Sequence, residues 1–77
     1  MYKMNVQSVF DYIERRYNSL VLYLDNGMVG KEFVKDVSAQ CFGVVDYFNA
    51  ATHDEYFGET AFQWEMWAAK FDALYGR

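Results

Sequence analysis

Residues 60–74, TAFQWEMWAAKFDAL, carry apolar side chains on two opposite sides of what reads as one helix. Thr60, Trp64, Trp67, Phe71 and Leu74 advance in alternating steps of four and three residues. Phe62, Met66, Ala69 and Ala73 form a second line. At about 100° per residue the two lines point in roughly opposite directions. A small bundle buries one stripe from each helix, so the second stripe asks for another partner. This segment predicts a helical protein that binds something.

The first half of the chain supplies two more seams. Val6, Phe10, Ile13, Tyr17, Leu20 and Leu24 step by four and three residues without interruption. Asn5 stands where an N-cap belongs, and Asp25-Asn26-Gly27 offers residues that tolerate a left-handed helix end. Asn-Gly is also a hairpin signal, with Leu20–Leu24 as a strand, but the length of the seam favours helix. Val34, Val37, Cys41, Val44 and Phe48 make the next seam, widened by Phe33 and Val45. Its outer face shows Glu32, Asp36, Ala39, Gly43 and Asp46. A glycine inside a helix costs roughly 1 kcal/mol against alanine. Gly43 therefore points to close packing, either by another backbone or against a bulky aromatic ring.

Where the last helix starts is open, because Thr52-His53-Asp54-Glu55 and Thr60-Ala61-Phe62-Gln63 both fit a capping box. Gly58 between them suggests a loop over 50–58, and Gly76 ends the helix. Together these signals predict an all-α fold, a small antiparallel three-helix bundle with helices near 5–25, 30–50 and 59–75. Trp64, Trp67 and Phe71 are expected in its core against Phe10, Tyr17 and Phe48. With 77 residues, 53% hydrophobic and 21% aromatic, the chain forms one domain, and its rings can close a small core.

Little in the chain suggests chemistry. Cys41 is the single cysteine, which excludes an internal disulfide and fits a reducing compartment. It lies mid-seam, where cysteine acts as a small hydrophobe, so a Cys41–His53 nucleophilic pair is not expected. His53 with Asp54 and Glu55 lacks the second histidine that a metal site would want. Asp25-Asn26-Gly27 lacks the later ligands of a calcium loop. Asp11 and Glu14 share an outer face with Arg15, and Asp11–Arg15 has the spacing of a solvated ion pair. No phosphate loop or serine elbow is present. The reading is a protein without catalytic role, cofactor or metal. The longest apolar run, Leu20–Leu24, is far too short to span a membrane, and no apolar segment follows Lys3 as a secretory signal would require. A cytoplasmic protein is the expectation.

Charge is the more informative feature. The formal net charge is −4, and no Lys or Arg occurs between Asp36 and Ala69. Asp36, Asp46, Asp54, Glu55, Glu59 and Glu65 fall in that stretch. Such a field disfavours direct contact with nucleic acid and suits a basic protein surface. Asp46-Tyr47-Phe48 and Glu55-Tyr56-Phe57 repeat an acid–Tyr–Phe triplet, in which the Phe is expected inward and the acid and Tyr outward. Tyr47 and Tyr56 are therefore candidate interface anchors. The candidate partner-binding set is Asp46, Tyr47, Asp54, Glu55, Tyr56, Glu59 and Glu65. The candidate homodimer contact is Phe62, Met66, Ala69 and Ala73.

The run Gln40-Cys41-Phe42-Gly43, then Asp46-Tyr47-Phe48, then residues 67–74 (WAAKFDAL), resembles short acidic proteins of bacterial phages and mobile elements. The resemblance spans roughly residues 20–76 and rests on the placement of small and aromatic residues. It implies a bacterial host cell and an inhibitor of a host nucleic-acid-binding enzyme, as anti-CRISPR proteins are inhibitors of CRISPR nucleases. It carries no residue roles across. A structural or regulatory homodimer without inhibitory activity is the alternative.

Overall fold

Asn5 opens the first helix as expected: its Oδ1 accepts the Ser8 backbone N–H at 2.8 Å. The computed structural model describes residues 5–52 and 57–77. Three helices follow in order, α1 (Val6–Asp25), α2 (Glu32–Ala51) and α3 (Phe57–Tyr75), packed as a small antiparallel bundle. No described residue lies in a strand, so the hairpin alternative at Asn26-Gly27 is excluded. Met28 N–H reaches the Tyr23 carbonyl at 2.9 Å and Gly27 N–H the Leu24 carbonyl at 3.1 Å, with Gly27 at φ 69°. This pair of bonds is a Schellman closure, and it turns the chain toward α2.

The core follows the seams with small shifts of register. Val6, Val9, Phe10, Ile13 and Leu20 are buried on α1, while Tyr17 and Leu24 are half-buried. On α2 the buried set is Val34, Val37, Cys41, Val45 and Phe48; Val45, not Val44, takes the inner position. From α3 come Thr60, Phe71 and Leu74. Losing a fully buried phenyl such as Phe71 costs about 3–5 kcal/mol. That is a large share of the roughly 4–11 kcal/mol expected of a domain this size.

Phe71 is in the core as expected, but Trp64 and Trp67 are only half-buried. Two indoles are too wide to stack inside three closely packed helices, so they lie along the flanks of α3. Trp67 turns toward α1, meeting Tyr17 edge-on at 5.4 Å, and Trp64 turns toward α2, meeting Phe42 at 5.6 Å. Tyr17 also meets Phe71 edge-on at 5.4 Å, favourable geometry for ring quadrupoles.

The start of α3 differs from the capping-box reading at Thr60, while His53, Asp54 and Glu55 of the other box lie outside the described residues. Thr60 lies inside the helix, fully buried, and its hydroxyl donates to Asn49 Oδ1 at 2.6 Å on α2. Thr52 closes α2 and its hydroxyl donates back to the Phe48 carbonyl at 3.0 Å. Asp11 takes its hydrogen bond from Gln7 Nε2 at 2.8 Å and not from Arg15. Arg77 pairs with Asp25 at 2.7 Å, joining the chain end to the end of α1. Both partners are more than half exposed, so the pair contributes only about 0–1 kcal/mol.

Gly43 meets neither kind of close neighbour: it faces outward, and a Cβ there would find nothing within 4 Å. Gly27 is equally open but sits at positive φ, which strains any residue with a side chain. The same substitution should therefore act with opposite sign at the two positions. In urea denaturation, Gly43→Ala should stabilise by up to about 1 kcal/mol. Gly27→Ala should destabilise by about 1–2 kcal/mol.

Candidate functional site

The facing flanks of α2 and α3 are unevenly filled. Phe42 on α2 and Trp64 on α3 touch across the gap, their ring planes inclined at 50°. On either side of this strut the flanking residues are small, Ser38 and Ala39 on one side and Ala61 on the other. The helices therefore do not close over their own contact, and a cleft opens on each side of the ring pair.

The first cleft, about 360 Å³, runs toward the end of α3 over Val34, Ser38, Phe71 and Tyr75. Its charged groups are Lys35 and Asp72, of opposite sign. The Lys35 ammonium sits 4.6 Å from the Tyr75 ring centroid, with that of Lys31 at 4.9 Å, so both bases are engaged by one ring. The second cleft, about 300 Å³, lies under the start of α3 over Val45, Asn49, Phe57 and Ala61. Asp46 and Glu65 flank it, and no base is among its described lining residues. Apolar walls with two acids at the rim make a surface for a cation carried on an apolar body.

The expected acidic set is divided by the fold. Asp46 and Glu65 come together at the second cleft. Tyr47 is 69% exposed but lies 100° around α2 from Asp46, on a different flank. Glu59 is exposed and receives a hydrogen bond from Gln63 Nε2 at 3.5 Å. It stands about 120° around α3 from Glu65, so the two acids do not share a face. Asp54, Glu55 and Tyr56 lie outside the described residues. The triplet symmetry also breaks: Phe48 is buried as expected, but Phe57 is 58% exposed. Phe57 is the first residue of α3, and the inward position one turn later belongs to Thr60.

Phe62 is 66% exposed and Met66 54%, and Ala69 and Ala73 are exposed beside them. The second stripe of α3 has no cover within the described chain. Leu22, likewise off the seams, is 59% exposed.

The sequence alone does not place Phe42, Phe57 or Ala61 in the binding set, and it predicts an inward-facing Phe57. Phe42 carries the strongest signal in retrospect, as a large ring on the flank of α2 among the small residues Ser38, Ala39 and Gly43. What the sequence does not give is the side of α3 that this flank faces.

Among the described residues no group of His, Cys, Asp or Glu could hold a metal ion, and no helix is long and apolar enough to cross a membrane. Compared with known proteins, the chain matches no family, no curated protein and no solved structure. The surface itself must carry the functional reading.

Cys41 is buried, and loss of solvation raises its thiol pKa above the ordinary 9.0, partly offset by the charge of Arg16. The folded state thus holds the proton more tightly than the unfolded one. Its contribution to stability is complete below pH 9.0 and is lost as the pH rises through the folded value. The thiol should react with a disulfide reagent at pH 8 only as fast as the protein unfolds. Stability should fall less steeply above pH 9 in Cys41→Ala than in the native protein.

Proposed function

We propose that this protein is a small acidic helical binding module that docks on the basic surface of another protein. The observation that carries the reading is the second cleft, where Phe42, Phe57 and Trp64 stand beside Asp46 and Glu65. Half-exposed aromatic side chains supply contact area at small entropic cost, and the paired acids steer a basic partner to them. Nothing in the site's residue types suggests acyl transfer, phosphoryl transfer or metal chemistry, so the reading is a binding role and not an enzymatic one.

The acidic field and the resemblance to phage and mobile-element proteins together suggest inhibition. In this reading the partner is a host nucleic-acid-binding enzyme, such as a CRISPR nuclease, in the bacterial cytoplasm. Its phosphate-binding groove is the basic surface that the acids occupy. Capture from a bacterial lysate, with the partner identified by mass spectrometry, tests this directly. Asp46→Asn with Glu65→Gln should leave the fold intact, because exposed charges contribute only about 0–1 kcal/mol each. The double variant should associate more slowly with the captured partner, with the largest effect at low salt, and should restore the partner's nuclease activity. Unchanged association at low ionic strength would place the contact elsewhere.

The uncovered Phe62–Met66 stripe supports a second reading, a homodimer through the outer face of α3. Such an apolar contact resists salt where the acidic one weakens. Sedimentation at micromolar concentration should then show a dimer that Phe62→Lys with Met66→Lys converts to monomer. A native protein that is monomeric throughout, with or without residues 1–4, removes this reading.

A further inference from the structure

We infer that the two clefts between α2 and α3 together form a groove for one amphipathic helix of the partner, which would lie against the bundle as a fourth helix. This inference rests on the binding-module reading above and names what the module holds.

The spacing is the first argument. The clefts share Phe42 and Trp64 and diverge from them in opposite directions along both helices. Their centres are separated by roughly eight to eleven residues of α2, or about 12–16 Å at helical rise. Apolar side chains two to three turns apart on one face of a helix match that separation. Volumes of about 360 and 300 Å³ each have room for a large aliphatic or aromatic side chain.

Backbone chemistry is the second. An extended peptide needs a sheet edge or a row of polar groups to satisfy its own N–H and C=O groups. No described residue lies in a strand, and Asn49 Oδ1, a polar group in the second cleft, already accepts from Thr60. A helix satisfies its own backbone and brings only side chains to such a surface.

Charge gives the third argument and sets the polarity. Asp46 and Glu65 make the second cleft acidic, whereas Lys35 and Asp72 offset one another at the first. The incoming helix should therefore carry Lys or Arg beside the anchor entering the second cleft and need none beside the other. A second copy of α3, presenting Phe62 and Met66, is a poorer occupant. It would bring its own Glu59 and Glu65 against Asp46 and Glu65, like charge against like.

Trp64 provides the readout. In a Trp67→Phe background, its fluorescence would be followed while synthetic amphipathic helical peptides are added. The peptides carry leucines two to three turns apart, with Lys, Gln or Glu flanking either leucine. Lys beside one leucine should bind most tightly, and Glu at the same place at least about tenfold more weakly. Asp46→Lys with Glu65→Lys should reverse that preference. Ala61→Trp fills the second cleft and should weaken the best peptide about tenfold with circular dichroism unchanged. Ala61→Leu serves if tryptophan disturbs the fold.

Absence of binding by any of these peptides at millimolar concentration would overturn the proposal. So would binding indifferent to flanking charge or to Ala61 substitution, or self-association abolished by Ala61→Trp, which would give the groove to a second copy. A captured basic partner released by Asp46→Asn with Glu65→Gln but indifferent to Ala61→Trp would leave the binding-module reading standing and remove the helix.

Discussion

Everything distinctive about this molecule depends on which way α3 is rotated about its own axis. The helix has two apolar stripes and the bundle can bury only one. The choice is made by rings: Phe71 is buried, Tyr17 stands edge-on to both Phe71 and Trp67, and Trp64 lies near Phe71. The competing stripe, Phe62, Met66, Ala69 and Ala73, has one aromatic ring and two alanines, and burying it would gain far less area. At the start of α3 the same rotation buries Thr60, whose hydroxyl finds Asn49 Oδ1 and so does not go unpaired in the core. Apolar area and polar satisfaction agree on one orientation.

That orientation has two consequences at the surface. It leaves Phe62 and Met66 pointing away from the bundle. It also places Trp64 on the α2 side, where Phe42 meets it between the clefts lined by Ser38 and Ala39 and by Ala61. One ring pair stands at the middle of this flank, and the small side chains of Ser38, Ala39 and Ala61 leave room on either side of it. The two clefts are a by-product of how the core is packed.

Charged side chains refine the bundle without determining it. Arg16 reaches from α1 to Gln40 on α2 at 2.7 Å and to Tyr12 at 2.8 Å, tying the backs of the two helices together. Lys31 and Lys35 sit over Tyr75 and Lys70 over Trp67, so these bases lie against aromatic faces near the end of α3. Of these bases only Lys35 lines a cleft, where Asp72 offsets it, while the second cleft keeps its acids. A field with one sign at one end can orient a partner as well as attract it.

The sequence by itself determined the three helices, their order and most of the core. Those properties are local: a seam of four-and-three steps and a stop signal such as Asn26-Gly27 act within a few turns of chain. It also showed that α3 has a stripe too many, since that is a count of apolar faces on one helix. It did not show that Gly43 faces open space, that Phe57 stays outside, or that Asp46 and Glu65 line one cleft while Glu59 turns away. Each of these depends on the angle at which one helix meets another. Side-chain volumes from all three helices fix that angle together, so acids that share one base-free stretch of sequence were divided in space.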